Sequence, residues 1–169
     1  MKVFYASMSS PVGKLWIAST EKGVCHIALS GRKAFFSTLR RLFPEAEPEE
    51  NSRANRGAIA QLQEYFAGTR REFDLPLDLR GTPFQLAVWR ELQRIPYGTT
   101  VSYGELARRI GRPGAARAVG MANHYNPVPI LIPCHRVIGS DGNLVGFGGG
   151  LDMKRLLLDL ESNGRAAKS

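Results

Sequence analysis

What this chain of 169 residues is short of narrows its function first. It has 2 cysteines, Cys25 and Cys134. That is too few for a disulfide framework or for a cysteine-rich four-ligand zinc site. A free thiol calls for a reducing compartment or a chemical use. No segment approaches the roughly 18 apolar residues of a membrane helix. The opening Met1-Lys2-Val3-Phe4-Tyr5 has neither an apolar h-region nor a small-residue cleavage site. These absences lead us to expect a soluble, cytoplasmic protein without a membrane partner.

Negative charge is also scarce: 15 acidic residues face 23 lysines and arginines, a net charge of +8. Between residues 81 and 124 there are six arginines, two acids and no lysine. Arginine-only excess of this kind suits phosphate contact, and it admits nucleic acid as a partner without requiring it.

The first half reads as α/β. Val3, Tyr5, Leu15, Ile17, Val24 and Ile27 lie in short strand-forming runs, separated by turn signals at Ser9-Ser10-Pro11-Val12-Gly13 and Glu21-Lys22-Gly23. An antiparallel meander is expected there. Helices are expected over 32–43 and 54–67, the second carrying Ile59, Leu62 and Phe66 at helical spacing. Pro44 to Asn51, acidic and polar, reads as an exposed connection. Punctuation by Gly68, Pro76 and Gly81 places a boundary near residue 80, dividing the chain into domains 1–80 and 81–169.

The second half reads as helical. Thr82-Pro83 is an N-cap with proline at the first helical position, followed by Phe84, Val88, Leu92 and Ile95. Ser102 and Glu105 form a capping-box pattern opening another helix. After Gly111-Arg112-Pro113-Gly114 comes a helix of small residues, Ala115 to Asn123, with Arg117 its only charge. Two short helices around a glycine-containing turn make a helix-turn-helix pattern. Small side chains let such a helix approach another backbone or a DNA groove closely. Ile130-Leu131-Ile132 reads as a short buried strand, and the final helix, 152–162, is expected to turn Leu156, Leu157 and Leu160 inward.

Cys134 is the candidate nucleophile, preceded by Pro133 and followed by His135. Thiolate rather than thiol attacks, so a base is needed and His135 is the obvious one. In an extended segment the two side chains would point apart, so the contact would run through a bend or a bridging water. Asp152, Asp159 and Glu161 could each orient the imidazole, and the sequence alone does not choose. His26 beside Cys25 repeats the dipeptide, so adjacency by itself decides little; Cys25, in a β run, reads as a buried small hydrophobe. Gly146–Gly150 lacks the spacing and lysine of a phosphate-binding loop, which excludes a nucleotide cofactor of that type.

Asn126-Pro127-Val128-Pro129-Ile130-Leu131-Ile132-Pro133-Cys134-His135-Arg136-Val137 resembles the O6-alkylguanine-DNA alkyltransferases. The resemblance runs from Gly81-Thr82-Pro83-Phe84 through Ser102-Tyr103-Gly104-Glu105-Leu106-Ala107 and Ala115-Ala116-Arg117-Ala118-Val119-Gly120 to Leu157-Leu158-Asp159-Leu160-Glu161, essentially the whole second half. It implies a ribonuclease-H-like first domain and a DNA-binding, catalytic second one. The implied reaction is a single, irreversible transfer of the alkyl group from O6-alkylguanine in double-stranded DNA to Cys134, after the base is flipped out. O4-alkylthymine is a further possible substrate, and no cofactor or metal is implied.

Residue by residue, the resemblance makes Cys134 the alkyl acceptor, His135 the water-mediated base and Glu161 the acid that orients it. Asn126 braces the turn before the active-site segment. Tyr103 helps rotate the nucleotide and donates to guanine N3. Arg117 enters the vacated base stack, with Ala115, Ala116, Gly120 and Asn123 beside it on the DNA face. Val137, Phe147, Gly148 and Pro129 wall the pocket. Phe147 stands where many members carry tyrosine, and Leu156 where many carry tryptophan. A monomer is expected, cytoplasmic or nucleoid-associated. The competing readings are a lesion-sensing DNA-binding protein without catalysis, which would leave the lesion intact, and a cysteine hydrolase, which would turn over.

Overall fold

The computed structural model describes residues 1–139, 142 and 150–166, with side chains through residue 163. Two compact units divide the chain, Met1–Arg80 and Gly81–Ser169.

In the first unit the meander forms as β1 (Lys2–Ser10), β2 (Gly13–Thr20) and β3 (Gly23–Ala28), paired antiparallel in sequence order. One finding lies outside the expected meander. The acidic segment read as a connection contains β4 (Glu47–Glu50), which runs parallel to β1 and completes the order β3-β2-β1-β4. Its charges concealed it: an edge strand pairs on one side only and tolerates glutamates that a central strand would not.

Alternation along the strands assigns each face a helix. Val3, Trp16 and Ala18 join Phe35, Leu39 and Phe43 of α1 (Arg32–Leu42) and its end in one buried cluster. The opposite parity, Ala6, Met8, Leu15 and Ile17, is buried too. On that side α2 (Arg56–Phe66), entered through a 3-10 turn at Arg53–Asn55, buries Ala58, Leu62 and Tyr65. Cys25 lies in the α1 cluster, and burial pushes its thiol up to about 12, an inert small hydrophobe. Segment 76–78 closes the β3 edge: Val24 donates to the Pro76 carbonyl and Asp78 to the Val24 carbonyl, each at 2.9 Å. Gly23 makes that approach possible, because a Cβ there would sit 2.3 Å from the Pro76 oxygen.

The second unit is helical, as expected, with α3 (Pro83–Leu92), α4 (Tyr103–Arg109), α5 (Ala116–His124) and α6 (Leu151–Ala166). The Thr82 hydroxyl accepts from the Gln85 amide while Gln85 Oε1 accepts from the Thr82 amide, a closed capping box. At α4 the Ser102 hydroxyl caps Glu105, but the Glu105 carboxylate is taken up by Arg108 and Arg109 instead. The buried Trp89 indole of α3 donates to the Ala122 carbonyl of α5 at 2.8 Å, and α4 packs against both helices.

Two expectations are corrected. Ile130–Ile132 is not a strand; Pro129 and Ile132 form an isolated bridge, and Ile130 sits at φ 78. The pairing strand lies later, as β6 (Val137–Ile138) parallel to β5 (Val101–Ser102). In α6, Leu157 is buried but Leu156 is exposed, because the inward stripe follows Lys154, Leu157 and Glu161. No helix among the described residues is long and apolar enough to cross a membrane.

Thr82→Ala removes the cap that starts α3, and should cost about 1 kcal/mol. The check is a denaturant midpoint; an unchanged midpoint would mean that the α3 start draws nothing from the box.

Candidate active site

Local chain chemistry delivers Cys134. Asn126, just past the end of α5, bonds the backbone ahead of it at two points: its Oδ1 accepts from the Val128 amide at 3.0 Å, and its amide donates to the Ile132 carbonyl at 2.8 Å. Prolines 127, 129 and 133 rule out a regular helix there. Ile130, a buried β-branched residue in the left-handed region, marks backbone strain held by these bonds. The segment ends in a single 3-10 turn, Cys134–Arg136, rather than the extended run considered from the sequence. That turn is the bend that lets consecutive side chains serve one site.

Cys134 is almost fully buried. Burial pushes its thiol up to about 11, against a hydrogen bond from Asn126 and the nearby charge of Lys154, which act to lower it. At neutral pH the resting group is a thiol, so attack requires a base.

His135 is fully buried, and its Nε2 lies 2.6 Å from Glu161 Oε2. Burial holds the imidazole below its usual range, against the pull of Glu161. It is therefore neutral, and the carboxylate acceptor fixes the proton on Nε2. The lone pair is left on Nδ1, which has no hydrogen-bond partner among the described residues.

Of the three acids left open, the structure chooses one. Asp152 and Asp159 are exposed; Glu161 is buried. Besides His135, Glu161 accepts from Arg136 Nε at 2.8 Å, Arg136 Nη2 at 2.9 Å and the Gly98 amide at 3.2 Å. Burial works to raise its carboxyl, but the bonds and charges of His135 and Arg136 outweigh it and hold the group well below the carboxylate range. Arg136 also donates to the Ile95 carbonyl at 2.7 Å and lies over the Tyr97 ring.

Tyr103 opens α4, with its ring against Gly120 of α5, where an added Cβ would come within 3.7 Å. Burial raises its hydroxyl above the usual range, with a hydrogen bond to Asn123 opposing, so it stays a donor at neutral pH. Asn123 was expected on the DNA face. It is buried instead, donating to the Cys134 carbonyl at 3.3 Å, because it lies on the side of α5 opposite Arg117. Gly120 is likewise turned toward Tyr103. Arg117 is exposed with no ion pair among the described residues, and Ala115 and Ala116 are half-buried beside it. Val137 is buried and Pro129 half-buried. Phe147 and Gly148 lie outside the described residues.

Two site residues escaped the sequence reading. Arg136 was legible as part of the motif but carried no assigned role. Lys154 is fully buried and donates to the Val137 carbonyl; burial holds its ammonium down to about 8, with Cys134 opposing that shift. The available signal was its place on the inward stripe of α6, three residues before Leu157 and seven before Glu161.

Chemically, the arrangement joins a buried thiol, a neutral imidazole backed by a fixed carboxylate, and a cation near the sulfur. It can generate a thiolate and hold the displaced proton on an imidazolium–carboxylate pair.

Comparison with known proteins agrees over both units. Residues 83–163 match the family model described as 6-O-methylguanine DNA methyltransferase, DNA binding domain, and residues 3–79 match its ribonuclease-like domain. The chain is 52% identical over 162 residues to a methylated-DNA–protein-cysteine methyltransferase of Mycolicibacterium paratuberculosis, covering 93% of this chain and 91% of the relative. A protein of the same description from Methanosarcina barkeri is 48% identical over 161 residues, with 95% and 98% covered. The crystal structure of Mycobacterium tuberculosis O6-methylguanine methyltransferase superposes with a TM-score of 0.81 at 45% identity, covering 95% of this chain and 93% of that one. A structure of the M. tuberculosis protein in complex with DNA gives 0.81 at 44% identity, covering 97% and 94%.

Lys154→Met gives a pH test of the buried ammonium. A lysine whose folded pKa is lowered to about 8 from 10.5 binds fewer protons folded than unfolded between those values, so it makes stability rise with pH there. The stability of wild type relative to Lys154→Met should therefore climb between these pH values in parallel denaturation series. A flat difference would mean that the lysine is not held as a buried cation.

Proposed function

Because the chain belongs to the 6-O-methylguanine DNA methyltransferase family, we propose that Cys134 is the residue through which it repairs DNA, taking the alkyl group of O6-alkylguanine onto its own sulfur. The observation that carries the assignment is the buried His135–Glu161 pair, whose open Nδ1 belongs to the residue next to the thiol.

In this reading the His135 lone pair takes the thiol proton through a bridging water, and Glu161 steadies the imidazolium. The thiolate attacks the alkyl carbon. A carbon–sulfur bond forms, the carbon–O6 bond breaks, and its electron pair leaves with guanine. The Tyr103 hydroxyl donates at N3 as that charge develops, which is where a placed donor is most effective. Guanine regains the proton released by the thiol, so a thiol and an O6-alkylguanine become a thioether and guanine. Nothing in the site cleaves a thioether, so each molecule reacts once.

Asn126 fixes the Cys134 segment, and Asn123 links the Tyr103 hydroxyl to the Cys134 carbonyl. Arg117 fills the gap left by the flipped nucleotide. Val137 and Pro129 line the base pocket in this reading, to which the family resemblance adds Phe147 and Gly148. We assign double-stranded DNA binding and chemistry to residues 81–169, and place the protein in the cytoplasm or on the nucleoid as a monomer that uses no cofactor or metal.

Intact-protein mass after incubation with duplex DNA containing O6-methylguanine tests the acceptor. Wild type should gain one methylene, mapped to the Cys134 peptide, stoichiometrically and without turnover. Cys134→Ala should bind the lesion but gain nothing. Binding without mass change in wild type would make the chain a lesion sensor instead.

Glu161→Gln, in protein verified as folded by circular dichroism, should slow transfer by roughly 10²-fold through loss of the orienting acceptor. A rate and pH profile equal to wild type would remove the relay.

A further inference from the structure

The exposed side of α5 carries more than Arg117. Met121 and Tyr125 are two of the few large hydrophobic residues left open to solvent, at 57% and 51%. They stand one and two turns after Arg117, so the three share a face, with Met121 at its middle. The other side of the same helix is committed inward through Val119, Ala122 and Asn123. A methionine and a tyrosine in line with an arginine combine apolar surface with a cation on one helix face, a composition that suits an interaction surface.

Three observations select the occupant. The face holds no carboxylate, and Arg117 has no ion pair among the described residues, so its charge suits a polyanion. A nine-residue helix is roughly 13 Å long. That length fits a DNA groove, but it offers far less than the roughly 800 Å² per partner of a stable protein interface. The helix also belongs to the segment matched by the family's DNA-binding domain. The inference rests on the reading that α5 is the DNA-facing helix, and extends it to residues with no assigned role.

We propose that Met121 and Tyr125 are DNA-contacting residues, an apolar pair that packs against the deoxyribose walls of the groove while Arg117 enters the base stack. The unbranched thioether of Met121 adapts to an irregular wall. Tyr125 presents a rigid ring to a sugar and keeps its hydroxyl for a phosphate. Such contacts are insensitive to salt, whereas phosphate neutralisation releases counterions and depends on it steeply. Part of the duplex affinity of this protein is therefore apolar.

The test is a salt series of duplex binding for wild type, Met121→Ser, Tyr125→Ser and Arg117→Ala, with reaction toward free O6-alkylguanine base as a control. Both serine variants replace exposed side chains, so folding is preserved. Met121→Ser should weaken binding roughly tenfold at every salt concentration, as burial of about half a methionine side chain implies. Its slope of log affinity against log salt should stay that of wild type, and so should its rate with the free base. Arg117→Ala should lower the slope magnitude by about one.

Wild-type affinity in both serine variants, together with an altered Arg117→Ala slope, would overturn the apolar contact and leave α5 as the DNA helix. No change in any of the three would overturn the DNA-facing assignment itself. A DNA-free dimer in sedimentation that Met121→Ser disperses would identify the occupant as a second copy and overturn the proposal.

Discussion

The site depends on one buried carboxylate. Glu161 collects hydrogen bonds from the imidazole next to Cys134, from two nitrogens of Arg136 and from the Gly98 amide. These donors come from two separate stretches, the loop after α3 and the turn bearing Cys134, and meet the carboxylate on α6. Taking an ion pair out of water is costly, and a buried pair is weak support for stability by itself. What this one supplies is position. A single anion fixes the His135 tautomer, ties the active-site turn to α6 and closes the loop at Pro96–Gly98.

The electrostatics around the sulfur follow from the same burial. Burial raises the Cys134 thiol to about 11 and holds the His135 imidazole down, so both groups are neutral at rest. The opposing influences, Asn126 and Lys154, gain importance as negative charge forms on sulfur. Lys154 also holds the Val137 carbonyl, so one buried ammonium bears on both Cys134 and the strand that follows it.

Helix α5 divides its work by face. Its inner side, through Asn123 and the backbone of Ala122, is bonded to Cys134 and to Trp89 of α3. Its outer side presents Arg117, Met121 and Tyr125. The small residues between them let Tyr103 lie close against Gly120. A change in how the outer face is held therefore bears on the same short helix that positions the cysteine segment.

Local pattern determined much on its own: the meander, both capping signals, the helix-turn-helix, and the Cys134–His135 dipeptide set among prolines, because each rests on residues close together in the chain. Tertiary structure alone decided the rest. β4 hides in the sequence because its parallel partner lies 45 residues away, as in Lys2 opposite Glu47, and an edge pairing of that kind leaves no periodicity. Asp152, Asp159 and Glu161 are equivalent as residue types; only the rotation of α6 buries the third. That rotation also turns Leu156 outward and Lys154 inward, against their hydrophobicity, and the twist of α5 takes Asn123 from the expected DNA face into the site. Composition cannot anticipate such reversals, because burial of a charged or polar side chain depends on partners brought from other elements, here the Val137 and Cys134 carbonyls.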